Sequence, residues 1–191
     1  MTTICLVRHG QTNWNKQFLI QGRENIPLNE EGILQAHNTA NLLFENDPNW
    51  DVIISSPLIR AVTTADIIKE KLNIKSPIII DPNVIEREFG AAEGLTISTE
   101  VYDRINSDNY ENLETCADLQ HRSMNAVMNL INNFPNQKIL IVTHSHFIKG
   151  LLTQVDSNFT WTSTLKNASI NYVYFEDNKI IDYKTNVEYK K

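Results

Sequence analysis

What most constrains this chain is the alternation of short apolar runs with helically periodic segments. Residues 3–7, 52–54, 78–80 and 138–143 are rich in Val, Ile and Leu, the composition of strands covered on both faces. Between and after them, apolar side chains recur every three or four positions. The stripes are Ile33, Ala36, Ala40 and Leu43; Ala61, Ala65 and Ile68; Met124, Val127, Met128 and Ile131; and, after His146, Phe147, Leu151 and Leu152. Strands buried on both faces need helices on both sides. The pattern therefore predicts an α/β fold, a three-layer sandwich around a mostly parallel sheet.

Local signals add detail. Asn29 is the expected N-cap of the first long helix, with Glu30 and Glu31 in its first turn, and Asp47-Pro48-Asn49 stops it. Pro57 is expected in an early position of the next helix, and a short helix is expected near Trp14. Two closing strand-like segments, 170–175 and 179–183, flank Asp177-Asn178, which predicts an antiparallel hairpin. Residues 95–116 are polar and acidic and predict a small helical cap. With no linker or repeat, the expectation is one domain over 1–191 with a cap insertion at about 95–118.

At 191 residues the chain can bury a core without disulfides or a structural metal. Cys5 lies in an apolar run and Cys116 in a polar one, so neither a disulfide framework nor a zinc knuckle is expected. No apolar run spans a bilayer. Residues 1–7 are too short for a secretory signal before Arg8 ends them. The expectations are a cytoplasmic location and no membrane partner. A net charge of -6 without a Lys/Arg cluster argues against nucleic acid. An anion remains an acceptable ligand, because a cleft can concentrate a few positive groups. Oligomeric state is unreadable, with a homodimer plausible.

The chemistry gathers at strand ends. The first strand ends in Arg8-His9-Gly10, the second in Ser55-Ser56-Pro57 with Arg60 beyond, and the fourth in Thr143-His144-Ser145-His146. Ligands of open α/β sheets bind outside the carboxyl ends of the strands. If these strands are neighbours, Arg8, His9, Arg60 and His144 converge on a crevice suited to a phosphate dianion. Guanidinium groups fork onto phosphate oxygens. A neutral imidazole can attack phosphorus, and a second, protonated imidazole can offset charge on the equatorial oxygens. Taken singly, Arg60 reads equally as a helix cap. His144 with His146 reads as half of a metal site that lacks a carboxylate partner.

Arg8-His9-Gly10-Gln11-Thr12-Asn13-Trp14-Asn15 resembles the opening signature of the histidine phosphatase superfamily, in its phosphoglycerate mutase-like branch. Gln21-Gly22, Pro27-Leu28 and Gly32 with Gln35-Ala36 resemble its next block. Ser55 to Ala65, Glu86 to Gly94, and Val142-Thr143-His144 resemble the later ones, in family order. The resemblance implies that His9 becomes phosphohistidine and that Arg8, Arg60 and His144 hold the transferring group. It implies that Asn15 adds a polar contact, that Thr12 and Gln21 line the pocket, and that Glu86 is general acid and then base, ahead of Glu93. No metal or cofactor is implied. Ser145 stands where the family usually has glycine, with its N–H still able to reach phosphate. Asn25 stands for a usual aspartate and Ala92 for a frequent tryptophan; these departures bear on substrate preference.

The implied activity is a phosphomonoesterase acting on a small phosphorylated metabolite. A cofactor-dependent phosphoglycerate mutase is the alternative. It is disfavoured because the cap carries Arg104 among Glu100, Asp103, Asp108, Glu111 and Glu114, and because Arg122 reads as packed or paired. Such a cap repels a bisphosphorylated intermediate. A non-catalytic phospholigand-binding protein and a metal-dependent hydrolase using His144 and His146 are readings of other classes. Trp14, Phe18, Phe89, Tyr102 and Tyr110 could form an apolar wall, although aromatics at such positions are more often packing.

Overall fold

A computed structural model describes residues 2–189. In chain order the strands are β1 (Thr2–Arg8), β2 (Val52–Ser55), β3 (Ile79–Ile80), β4 (Ile139–Thr143), β5 (Ile170–Glu176) and β6 (Lys179–Lys184). The helices are α1 (Asn13–Lys16), α2 (Glu30–Asn46), α3 (Ile59–Leu72), α4 (Thr99–Asn106), α5 (Cys116–Asn133) and α6 (Ser145–Leu152). The strands form one six-stranded sheet in the order β3-β2-β4-β1-β5-β6. The pairings among β3, β2, β4 and β1 are parallel, and those of β5 with β1 and β6 are antiparallel.

Alternation along the strands builds the layers. Ile4, Leu6, Ile139, Ile141, Val52 and Ile54 point to one side, where Val127 and Leu130 of α5 and Phe147 and Leu151 of α6 cover them. Cys5, Val7, Leu140, Val142 and Ile53 point to the other side, against Ala40 and Leu43 of α2 and Ala61, Ala65 and Ile68 of α3. This is the predicted three-layer α/β sandwich with a mostly parallel sheet. Asp177 and Asn178 both take positive φ, 47° and 63°, as a tight hairpin turn matching the strand twist requires.

Several local expectations need correction. Asn29 does cap α2, its Oδ1 accepting from Gly32 N at 2.8 Å. The buried face of α2, however, runs through Gly32, Ala36, Thr39, Ala40 and Leu43, leaving Ile33 at 41 % exposure. The cause is close packing of the α2 start on the loop after β1. A Cβ on Gly32 would lie 2.0 Å from Gln11 O, and one on Gly10 would lie 2.3 Å from Gly32 O. Pro57 falls before α3, whose N-cap is Leu58. The first free N–H of that helix, from Ile59, is taken by Asn25 Oδ1 at 2.7 Å instead. Helix α6 begins at Ser145 rather than after His146, with His144 as its N-cap. Between Leu95 and Thr115 only α4 is α-helical; Leu19 bridges to Thr96, and Ile20, Phe89, Ala92 and Ile105 form a separate small apolar cluster there.

Candidate active site

The strand order puts β2, β4 and β1 side by side, so their carboxyl ends deliver Ser56, His144, Arg8 and His9 to one place. Backbone bonds fix His9 just beyond β1. Its N–H donates to Thr143 O at 3.0 Å, and its carbonyl accepts from Ala168 N at 3.0 Å. Its ring lies edge-on to that of His144, with centroids 5.1 Å apart. His9 Nδ1 is 2.7 Å from Gly10 O. A carbonyl only accepts, so Nδ1 carries the proton and Nε2 keeps its lone pair. Burial and the charges of Arg60 and Arg8 push the His9 pKa well below the usual histidine value, against the weaker pull of the Gly10 carbonyl. The ring is therefore a neutral nucleophile in form.

His144 is fully buried, with Nε2 2.7 Å from Ser56 Oγ and Nδ1 without a protein partner. Burial, then Arg60, His9 and Arg8, push its pKa well down. These surroundings oppose the protonated imidazole expected from the sequence. A dianion between the arginines would reverse that balance.

Both arginines are tied from behind. Arg8 donates through Nη1 to Leu165 O at 2.5 Å. Arg60, fully buried, donates to Glu24 O at 2.7 Å and Gly22 O at 2.6 Å. With its carbonyl oxygen toward Arg60, Gln21 accepts from Nη1 and Nε at 3.0 Å each, and its amide nitrogen donates to Thr12 Oγ1. Thr64 Oγ1 donates to Arg60 O at 2.8 Å within α3 and accepts from Gly10 N at 3.2 Å, joining α3 to the loop after β1.

Glu86 faces them across the crevice, 4 % exposed. Its Oε1 accepts from the N–H groups of Arg87, His146 and Phe147 at 2.9, 3.1 and 3.2 Å. Oε2 has only a 3.4 Å contact from His146 N and is the oxygen left to carry a proton. Burial raises the Glu86 pKa, and the N–H groups and Arg60 offset this in part. Glu93, the competing acid, is not part of the cavity lining and turns to backbone instead, its Oε1 accepting from Gly22 N at 2.9 Å and Glu24 N at 2.8 Å.

A cavity of about 390 Å³ opens over this cluster, with Arg8, His9, Asn15, Gln21, Glu86 and Ser145 in its wall. Arg60 and His144, both fully buried, are not part of its lining. Thr12 is buried outside it and caps α1, accepting from Asn15 N at 3.2 Å. Phe18, Phe89 and Tyr102 line the cavity. Trp14 instead lies 3.6 Å from where a Gly94 Cβ would be, and Tyr110 sits under the Arg104 guanidinium at 4.1 Å. The other basic groups around α4 are also engaged: Arg87 with Asp108 at 2.8 Å, Arg122 with Glu114 at 2.7 Å, and Arg23 with Glu88 at 2.5 Å.

His144 and His146 diverge. The His146 ring packs edge-on to Phe89 and against Trp161, with centroids 4.9 and 6.0 Å away. No group of three or more His, Cys, Asp or Glu side chains is placed to hold a metal ion among the described residues. Among those residues, too, no helix is long and apolar enough to cross a membrane.

Sequence reasoning missed Ser56 as the partner of His144. It also missed Asn167, which donates to His9 O at 3.3 Å and Asn15 Oδ1 at 3.1 Å, and Lys149, which is buried in the cavity wall. Asn167 lies in an aperiodic segment and carries no signal. Lys149 had one, as the lone charge in the apolar run Phe147-Ile148-Lys149-Gly150-Leu151-Leu152.

Comparison with known proteins identifies the relatives of this chain. The profile of the histidine phosphatase superfamily, branch 1, matches residues 4–186. The chain is 39 % identical to the uncharacterized phosphatase PhoE of Bacillus subtilis over 190 residues, covering 97 % of this chain and 96 % of that one. It is 31 % identical to a metal-independent phosphoserine phosphatase of Arabidopsis thaliana, covering 99 % of this chain and 83 % of that one. A phosphoserine phosphatase from Entamoeba histolytica, solved as a histidine-to-alanine variant with phosphoserine, superposes with a TM-score of 0.81 at 25 % identity, over 97 % of this chain and 98 % of that one.

Proposed function

The chain belongs to the histidine phosphatase superfamily, branch 1, and from that membership we propose that it hydrolyses small phosphomonoesters without a metal, through a phosphohistidine on His9. The observation that carries this reading is the His9–His144 pair, 5.1 Å apart and flanked by Arg8 and Arg60, with the raised-pKa carboxyl of Glu86 across the crevice. The similar proteins of B. subtilis and A. thaliana, both phosphatases by name, support it.

In the first half-reaction the phosphoryl group enters between the arginines, which neutralise its oxygens. Nε2 of His9 attacks in line, and the P–O bond to the leaving group breaks. The departing oxygen takes a proton from Glu86, which ionises. In the second, the Glu86 carboxylate removes a proton from water, the water oxygen attacks phosphorus, and His9 leaves as a neutral ring. His144 becomes protonated when the dianion binds, and Asn15 and the Ser145 N–H add polar contacts. Residues 95–118 serve as a cap within one domain. The acidic side chains there, with Arg87 and Arg122 already paired to Asp108 and Glu114, disfavour a retained bisphosphorylated intermediate, so water rather than a second alcohol takes the phosphoryl group.

The test is inorganic phosphate release from a broad panel of phosphorylated metabolites and an aryl phosphate, with a mutase assay alongside. Turnover of several esters with no phosphoryl transfer between carbons of one substrate is expected. Tight binding without release would overturn the reading in favour of a phospholigand-binding protein.

A further inference from the structure

Resting on the phosphomonoesterase reading above, we propose that Lys149, with His146 and Tyr102 beside it, forms a subsite for a carboxylate on the leaving group. Lys149 is 5 % exposed and lines the cavity. Its ammonium donates to a single acceptor, Trp161 O at 2.6 Å. Among the described residues no carboxylate lies within ion-pair distance of it. An ammonium has three donors, and a buried cation without a counter-charge is unfavourable. Burial first, then Arg8, lower its pKa to about 8, with Glu86 opposing. An anion entering the cavity supplies the missing partner.

His146 adds a second, independent observation. Its Nε2 is buried and without a partner, while its ring is held among Phe89, Tyr102 and Trp161 at 4.9, 6.3 and 6.0 Å. Tyr102 brings a phenol to the same wall. The location fits the leaving group. The N–H groups of His146 and Phe147 hold Glu86, so this face of α6 lies where the departing oxygen takes its proton. Lys149 is one turn beyond Ser145, about 6 Å along the helix axis, which suits a carboxylate a few bonds from the ester oxygen. One ammonium with a neutral imidazole matches a monoanion better than a second phosphate, and the neighbouring Glu86 and acidic cap disfavour a dianion.

The probes are 3-phosphoglycerate and sn-glycerol 3-phosphate, which differ by a carboxylate in place of a hydroxymethyl. The intact enzyme should favour the carboxylate ester by about tenfold or more in kcat/KM, mainly through KM. The ratio is internal to each protein, so a general loss of activity cancels. Lys149→Met should bring it near one, and Lys149→Arg should restore much of the preference. If Lys149→Met does not fold, the pH dependence of the intact enzyme takes its place. Lys149 faces Arg8, Glu86, His146 and Tyr102, and the preference should decline as pH rises through about 8, where Lys149 loses its proton. A ratio near one in the intact enzyme, an unchanged ratio in Lys149→Met, or a preference flat with pH would overturn the subsite while leaving the phosphatase standing. No phosphate release from any ester, aryl phosphate included, would overturn the phosphatase itself.

Discussion

His9 and Glu86 divide the proton chemistry through their surroundings. Donation from His9 Nδ1 to Gly10 O leaves Nε2 as the nucleophile, and burial between two arginines keeps that nitrogen unprotonated well below the usual histidine range. Glu86 is shifted the other way, upward, by burial. With an alkyl ester, turnover needs neutral His9 and protonated Glu86. kcat/KM should therefore fall as pH rises past the raised Glu86 pKa, with no loss on the acid side until well below the ordinary histidine pKa. Glu86→Gln should slow alkyl esters by about 10²–10⁴ and 4-nitrophenyl phosphate far less, because nitrophenolate leaves without a proton. Steady-state rates on the two ester classes measure this, and equal losses would place the acid elsewhere. These residues were legible because each ends a strand or sits in a recognisable block. Lys149 was passed over because a charge in an apolar helix reads as a boundary until a cavity is seen beside it.

Two helix starts carry the site. At α6 the first turn donates two N–H groups to Glu86, and its side chains Ser145, His146 and Lys149 form one wall of the cavity. The sequence predicted this helix two residues too late, since His144 was taken for chemistry and not for a cap as well. At α2 the start packs directly on the loop that carries His9. Gly32→Ala would set a Cβ 2.0 Å from Gln11 O, and backbone cannot yield there as a flexible side chain could. The expected cost is roughly 2–4 kcal/mol, visible as a lower denaturant midpoint at unchanged slope. Asn25→Ala removes the acceptor for Ile59 N and should cost about 1 kcal/mol by the same measurement. The buried face of α2 was misjudged by one position because apolar periodicity weighed Ile33 above a glycine with no side chain to count.

For the whole molecule, the three layers were readable because strands buried on both faces leave an unbroken apolar signature, and alternate residues of β1 and β4 then divide cleanly between two cores. The segment 95–116 resisted reading because its small cluster draws on Ile20 and Phe89 from distant positions, which periodicity cannot pair. Since His144 turns to Ser56 and His146 into an aromatic cage, EDTA treatment should leave hydrolysis of an aryl phosphate unchanged; loss restored by a divalent ion would contradict the proposed mechanism. The account rests finally on a covalent bond to one nitrogen. Rapid-quench trapping with 4-nitrophenyl phosphate, followed by mass mapping, should find an acid-labile, alkali-stable phosphate on His9 in the intact enzyme and none in His9→Ala. Turnover by the intact enzyme with no phosphoenzyme, or with the phosphate on another residue, would contradict it.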